Sequence, residues 1–194
     1  MAIDSIADVA TLETNELVRR AVGGCADAFT VLAQRFRPRL LHLLQRRFGG
    51  CHADAEDLTQ EALTRAFQRL GQFDERYSFS TWLYTLTMRL AHDQHRRRKT
   101  RDRHFSIVVT DCSGLPAPAI ARDCERDNLW EVAQRCLTEP QYMALWLRFG
   151  EDLSVAEVAQ VMARSPVGVR VLLHRARTTI IRYLPKDERH DRNH

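Results

Sequence analysis

Apolar residues return at helical spacing along most of this chain, and most such segments stop at glycine or proline. Phe29, Leu32, Ala33, Phe36, Leu40, Leu43 and Leu44 form one stripe. Leu58, Ala62, Leu63, Ala66, Phe67 and Leu70 form a second, and Leu83, Leu86 and Leu90, joined by Trp82, a third. That period buries one side of an α-helix and leaves the other to solvent, so the pattern predicts an all-α fold. A short helix through Leu17, Val18 and Val22 comes first, capped by Thr14 and ended by Gly23-Gly24. The first long stripe starts near Asp27 and stops at Gly49-Gly50. Pro38 lies inside it and marks either a kink or two helices in tandem. The second covers residues 53–71 and closes at Gly71. The third runs from about Ser80, with Ser80 or Thr81 as cap, to Lys99.

Residues 104–123 break this rhythm. Gly114, Pro116 and Pro118 exclude a helix there, and the stretch reads as a flexible linker. The expected organisation is therefore a helical domain over residues 12–103, the linker 104–123, a second helical domain over 124–184, and a tail over 185–194. In the second domain Leu129, Val132, Ala133 and Cys136 lie at helical spacing. Pro140 suits a first helical turn, continued by Met143, Leu145, Trp146 and Phe149 to Gly150. Ser154 and Glu157 have capping-box spacing. Ser165 and Pro166 then start a last helix. Its inner side carries Val169, Leu173, Ala176, Ile180 and Tyr183; its other faces carry Arg170, His174, Arg175, Arg177 and Arg182. No acidic residue occurs over residues 158–185. A short helix, a tight turn and a basic helix make a helix-turn-helix, though its turn lacks the glycine often found there.

Charge is unevenly spread. The chain has 194 residues and a net charge of only +4. Yet the stretch 54–103 opens acidic, with Asp54, Glu56, Asp57 and Glu61. It passes through Phe67, Phe73, Tyr77, Phe79, Trp82 and Tyr84, and it closes on Arg96, Arg97, Arg98, Lys99, Arg101 and Arg103. Cations favour a helix C-terminus only within its last turn; this run extends past that and points to phosphate binding. Of 29 basic residues only Lys99 and Lys186 are lysines, and arginine suits bidentate contacts to phosphate and base edges.

Several function classes drop out. The five cysteines include no CxxC pair, so no zinc site or disulfide framework is expected. Met1 to Ala10 has neither the basic nor the apolar part of a signal peptide. No run approaches the ~20 apolar residues of a membrane span. These features predict a soluble, cytoplasmic protein without membrane insertion. His92, Asp93 and His95 invite a metal, but on a helix Asp93 turns away from the two histidines. With no nucleophile–base arrangement and no glycine-rich phosphate loop, neither an enzyme nor a cofactor is expected.

The run Asp54-Ala55-Glu56-Asp57-Leu58-Thr59-Gln60-Glu61, then Phe79-Ser80-Thr81-Trp82-Leu83-Tyr84, then Arg96-Arg97-Arg98, resembles region 2 of bacterial sigma factors. Leu137-Thr138-Glu139-Pro140-Gln141, Leu153-Ser154-Val155-Ala156-Glu157-Val158-Ala159 and Leu173-His174-Arg175-Ala176-Arg177 resemble their region 4. Two regions and a linker alone resemble the extracytoplasmic-function class. The resemblance covers most of residues 15–184.

It implies core RNA polymerase, promoter DNA and an anti-sigma factor as partners. Asp54, Glu56, Asp57, Gln60 and Glu61 would dock on the clamp of the largest subunit, and the second domain on the flap of the second subunit. Phe79, Ser80, Trp82, Tyr84, Arg89, Arg96, Arg97 and Arg98 would open and hold the minus-ten element, the rings stacking on flipped bases. Ser165, Val167, Arg170, Val171, His174, Arg175 and Arg177 would read the minus-thirty-five element in the major groove. The chain departs from the family pattern at Arg89, where asparagine is usual, at Val171 and Leu172, where a small polar and a basic residue are usual, and in the glycine position of Pro166-Val167-Gly168. Arginine only donates hydrogen bonds, while a valine suits a thymine methyl. The competing reading is an ordinary helix-turn-helix regulator that binds duplex DNA without polymerase. It leaves the acid-to-aromatic-to-base gradient without a purpose.

Overall fold

Helices carry both halves of the chain. The computed structural model describes residues 9–47, 52–102 and 124–183, and among them there is no strand. The chain divides into two compact units, Met1–Pro116 and Ala117–His194. The expected linker and tail lie outside the described residues, as do Gly49 and Gly50.

The first unit holds α1 (Thr14–Val22), α2 (Ala26–Arg47), α3 (His52–Arg69) and α4 (Phe79–Asp102), with a 3-10 turn, Leu70–Gln72, closing α3. Helix α2 packs against α1, α3 and α4, and α3 packs against α4. One cluster of the core joins Leu44 of α2, Ala55, Leu58 and Ala62 of α3, and Leu90 and Ala91 of α4. Aromatic rings close the other end: Phe36 meets Phe79 edge-on at 5.5 Å and Tyr84 at 6.3 Å. Burying side chains of this size stabilises the fold by roughly 1.5–3 kcal/mol each before chain entropy is counted.

Several local expectations change. Thr14 is the first helical residue of α1, and Glu13 occupies the cap position without a side-chain bond. The Thr14 hydroxyl instead accepts from Arg35 Nη1 at 3.5 Å, while Arg35 Nη2 donates to the Ala10 carbonyl at 2.7 Å. Pro38 lies within α2, which runs as one helix; Phe36 and Leu40 on either side are both buried and hold the two halves on the same core. Helix α4 starts one residue before Ser80: the Trp82 N–H donates to the Ser78 carbonyl at 3.0 Å, so Ser78 holds the cap position. Thr81 is buried inside the helix.

The second unit holds α5 (Cys124–Cys136), α6 (Glu139–Leu145), a π-helical turn Trp146–Gly150, α7 (Val155–Val161) and α8 (Pro166–Tyr183). Helices α5, α6 and α7 all pack on α8. Tyr142 and Trp146 stack at 6.5 Å, with Trp130 edge-on to both. The π turn overturns the expectation for Phe149. The Glu151 N–H reaches back five residues to the Trp146 carbonyl at 3.1 Å. The extra residue in that turn swings Phe149 out to solvent beneath the Arg148 guanidinium. Tyr183, expected inside, is exposed at the last turn of α8.

Candidate functional site

Helix α3 sorts its residues by face. Ala55, Leu58, Thr59, Ala62 and Ala66 are buried, and the Thr59 hydroxyl is satisfied by donating to the Ala55 carbonyl at 2.7 Å. The opposite side presents Glu56, Asp57, Gln60 and Glu61, all exposed, with Asp54 half-buried at the first turn. Glu56 lies 3.7 Å from Arg37 Nη2 and 3.6 Å from His52 Nε2, and Glu61 pairs with Arg65 one turn on. Among the described residues no ion pair holds Asp57. Exposed pairs of this kind contribute about 1 kcal/mol or less, so these carboxylates can exchange their intramolecular partners for a basic surface. Phe67 belongs to the same face. The sequence pattern put it in the core, but it is 53% exposed and touches Phe29 only ring to ring at 5.0 Å. Its spacing of seven from Gln60 is the signal that places it outside.

The segment between α3 and α4 is pinned by a local acid–base pair. The Asp74 carboxylate accepts from the Arg76 backbone N–H at 3.0 Å and from Arg76 Nε at 2.9 Å. That guanidinium, with the backbone bond, holds the Asp74 carboxyl below the usual carboxylate range. The Tyr77 N–H closes the turn on the Asp74 carbonyl at 3.0 Å, leaving the Tyr77 ring exposed.

The aromatic residues expected to stack on bases divide. Phe79 and Tyr84, expected to stack on bases, are buried core residues packed on Phe36 and present no open ring face in this structure. Trp82 is half-buried, edge-on to Phe73 at 5.5 Å and tilted against Phe79 at 5.7 Å. Ser80 is half-buried, its hydroxyl 2.6 Å from that of Ser78. Arg89 and Arg96 are exposed. A spacing of seven residues puts Trp82, Arg89 and Arg96 along one side of α4, over about 21 Å of helix. The side chains of Arg97 and Arg98 lie outside the described residues.

In the second unit two capping boxes set the helix starts. Ser154 accepts from the Glu157 N–H at 3.3 Å while Glu157 accepts from the Ser154 N–H at 2.8 Å, as its spacing predicts. Thr138 and Gln141 form the other, Gln141 accepting from the Thr138 N–H at 3.0 Å. Its T-x-x-Q spacing is the sequence signature of such a box. Between α7 and α8 the Arg164 N–H returns to the Ala159 carbonyl at 2.9 Å, and Ala163 takes φ of 50°. The turn without glycine thus keeps the left-handed geometry and places an alanine in it. Ser165 caps α8, its hydroxyl accepting from the Gly168 N–H at 3.1 Å. A Cβ at 168 would lie 3.2 Å from that hydroxyl, a tight contact.

Helix α8 then shows two opposed sides. Val169, Ala176 and Ile180 are buried. Ser165, Val167, Arg170, Val171, His174, Arg175 and Arg177 are all exposed. Val167, Arg170, Val171 and His174 follow helical spacing and form one ridge, with Arg175 and Arg177 on its flanks. Such a ridge is basic at its edges and free of carboxylates, and a major groove is wide enough to admit an α-helix.

Among the described residues no three His, Cys, Asp or Glu side chains gather to hold a metal ion. No described helix is long and apolar enough to cross a membrane.

Residues 32–101 match the family model of sigma-70 region 2, and residues 133–180 that of sigma-70 region 4. The chain is 35% identical to the ECF RNA polymerase sigma factor BldN of Streptomyces coelicolor over 94% of its own length and 70% of that protein. It is 27% identical to the ECF RNA polymerase sigma factor SigW of Bacillus subtilis, covering 86% of this chain and 94% of the relative. The fold is shared with the sigma factor RpoE of Bartonella quintana, solved in complex with the anti-sigma factor NepR, at a TM-score of 0.64 and 19% identity over 79% of this chain and 94% of that one.

Proposed function

The chain belongs to the extracytoplasmic-function class of the sigma-70 family, and from that premise we propose how its two units divide the work of promoter recognition. It is an RNA polymerase sigma factor: it directs core polymerase to promoters and takes part in initiation. Residues 12–103 form the region 2 module and residues 124–184 the region 4 module, tethered by the linker 104–123. The first module docks on the clamp of the largest subunit through Asp54, Glu56, Asp57, Gln60 and Glu61, with Phe67 as an apolar contact on the same face. It engages the minus-ten element through Ser80, Trp82, Arg89, Arg96, Arg97 and Arg98, while Phe79 and Tyr84 hold that helix in place from the core. The second module reads the minus-thirty-five element through Ser165, Val167, Arg170, Val171, His174, Arg175 and Arg177, and meets the flap of the second subunit. The protein catalyses no reaction of its own and works in the cytoplasm, held inactive by an anti-sigma protein. RpoE, which shares this fold, was crystallised with an anti-sigma factor, and that supports this last partner.

The observation that carries this reading is the pairing of two exposed faces of opposite character on one chain: the acidic side of α3 and the carboxylate-free side of α8. Run-off transcription with core polymerase on a promoter pool tests it, with transcripts appearing only when this chain is added. Asp57→Lys combined with Glu61→Lys should lower polymerase affinity at least tenfold, since each reversal sets like charges against the docking surface. The helical circular dichroism should stay the same because both side chains are exposed. Unchanged affinity removes the docking assignment.

A further inference from the structure

The outward ridge of α8 contains an unusual pair for a basic helix. Val167 is 65% exposed and Val171 43% exposed, and both lie on the side opposite the buried stripe of Val169, Ala176 and Ile180. Neither helps the core, and each leaves branched methyl groups in water. Between and beside them stand Arg170, His174 and Arg175, all exposed. These polar side chains reach further than valine and are suited to phosphates and base edges at the sides of a groove. The two valines sit on the crest, where the helix approaches the floor.

The chemistry a valine can recognise in a major groove is narrow. Guanine presents two acceptors, cytosine a donor and adenine an acceptor and a donor; a valine that covers these without bonding leaves them unsatisfied. Thymine alone adds a methyl group at that edge. Val167 and Val171 are one helical turn apart, about 6 Å along the axis. That distance matches about two steps of duplex at 3.4 Å per base pair.

We propose that Val167 and Val171 are specificity-determining residues that select thymine methyls at two positions, about two base pairs apart, in the minus-thirty-five element. The inference rests on the assignment of α8 as the duplex-reading helix. Arg170, Arg175 and Arg177 supply the attraction to phosphate, and the valine pair supplies the discrimination. Leu172, half-buried beside them, does not reach the crest.

The test uses the full chain with core polymerase. Promoters are first selected from a pool randomised across the minus-thirty-five element. Each thymine of the winners is then replaced by deoxyuridine, which removes the 5-methyl group and nothing else. Two positions should lose about fourfold in holoenzyme affinity, the value of one buried methyl. Val167→Ala should abolish the loss at one position and Val171→Ala at the other. Val171→Ile, which keeps the branched methyl, should retain it. Both valines are exposed, so the alanine variants keep the fold. Winners without thymine at such a pair of positions, deoxyuridine effects absent everywhere, or effects that persist in both alanine variants each overturn the proposal. If no promoter is enriched at all, the failure lies with the sigma-factor assignment of α8 and takes this inference with it.

Discussion

His42 is the titratable side chain that the first unit treats most harshly. It lies buried in α2, where loss of hydration, with the nearby Arg46 charge adding to it, lowers its pKa to about 4. In the unfolded chain the same ring titrates near 6.5. Between those values the unfolded state binds the extra proton, so stability falls as the solution is acidified through that window and is fully present above it. Between pH 7 and pH 5 the loss should be about 2 kcal/mol, read as a lower urea midpoint for the first unit. His42→Leu should flatten that dependence. An equally steep pH profile in the variant would place the effect in other groups.

At the scale of the helix and its turn, the strained point is Ala163. Its left-handed backbone costs an L-residue about 1–2 kcal/mol, and glycine would remove that at the expense of about 0.5–1 kcal/mol of added chain entropy. Ala163→Gly should therefore raise the thermal stability of the second unit by up to about 1 kcal/mol. A drop in melting temperature would mean that the alanine methyl makes a contact worth more than the strain. The same scale shows what the sequence revealed. Stripes of Leu, Val and Ala predicted the buried sides of α2, α3 and α8, because a fixed helical period leaves little freedom once the register is known. Aromatic residues were less legible. Phe67 looked apolar enough for the core but sits more than about 100° from the centre of the buried stripe, while Tyr183 keeps the register of the stripe and is exposed because the helix ends there, at its last described turn. Phe149 failed for another reason: a π turn inserts a residue, and no spacing rule written for 3.6 residues per turn foresees it. Phe79 and Tyr84 lie on the buried side, and a motif shared with DNA-contacting proteins does not say which of its rings hold the others up. The surface acids of α3 and the exposed residues of α8 were legible because each falls on the face its stripe leaves open.

Taken as a whole, the molecule is polarised rather than strongly charged. A net charge of +4 hides an acidic face on α3 and a stretch of 28 residues, 158–185, without a carboxylate. Charge arranged in this way makes binding to duplex DNA salt-dependent while leaving the protein close to neutral in bulk. Replacing Arg170, Arg175 and Arg177 together by alanine should reduce the slope of log affinity against log salt for promoter-complex formation by about 2 to 3. An unaltered slope would show the three guanidinium groups solvated in the complex. The two-sidedness of α8 has one more consequence. Since Val169, Ala176 and Ile180 anchor the helix from behind, its outward letters can be respelled without unsettling the fold. Duplicated copies of such a gene are thus free to drift toward new targets one letter at a time, each copy remaining a competent protein throughout.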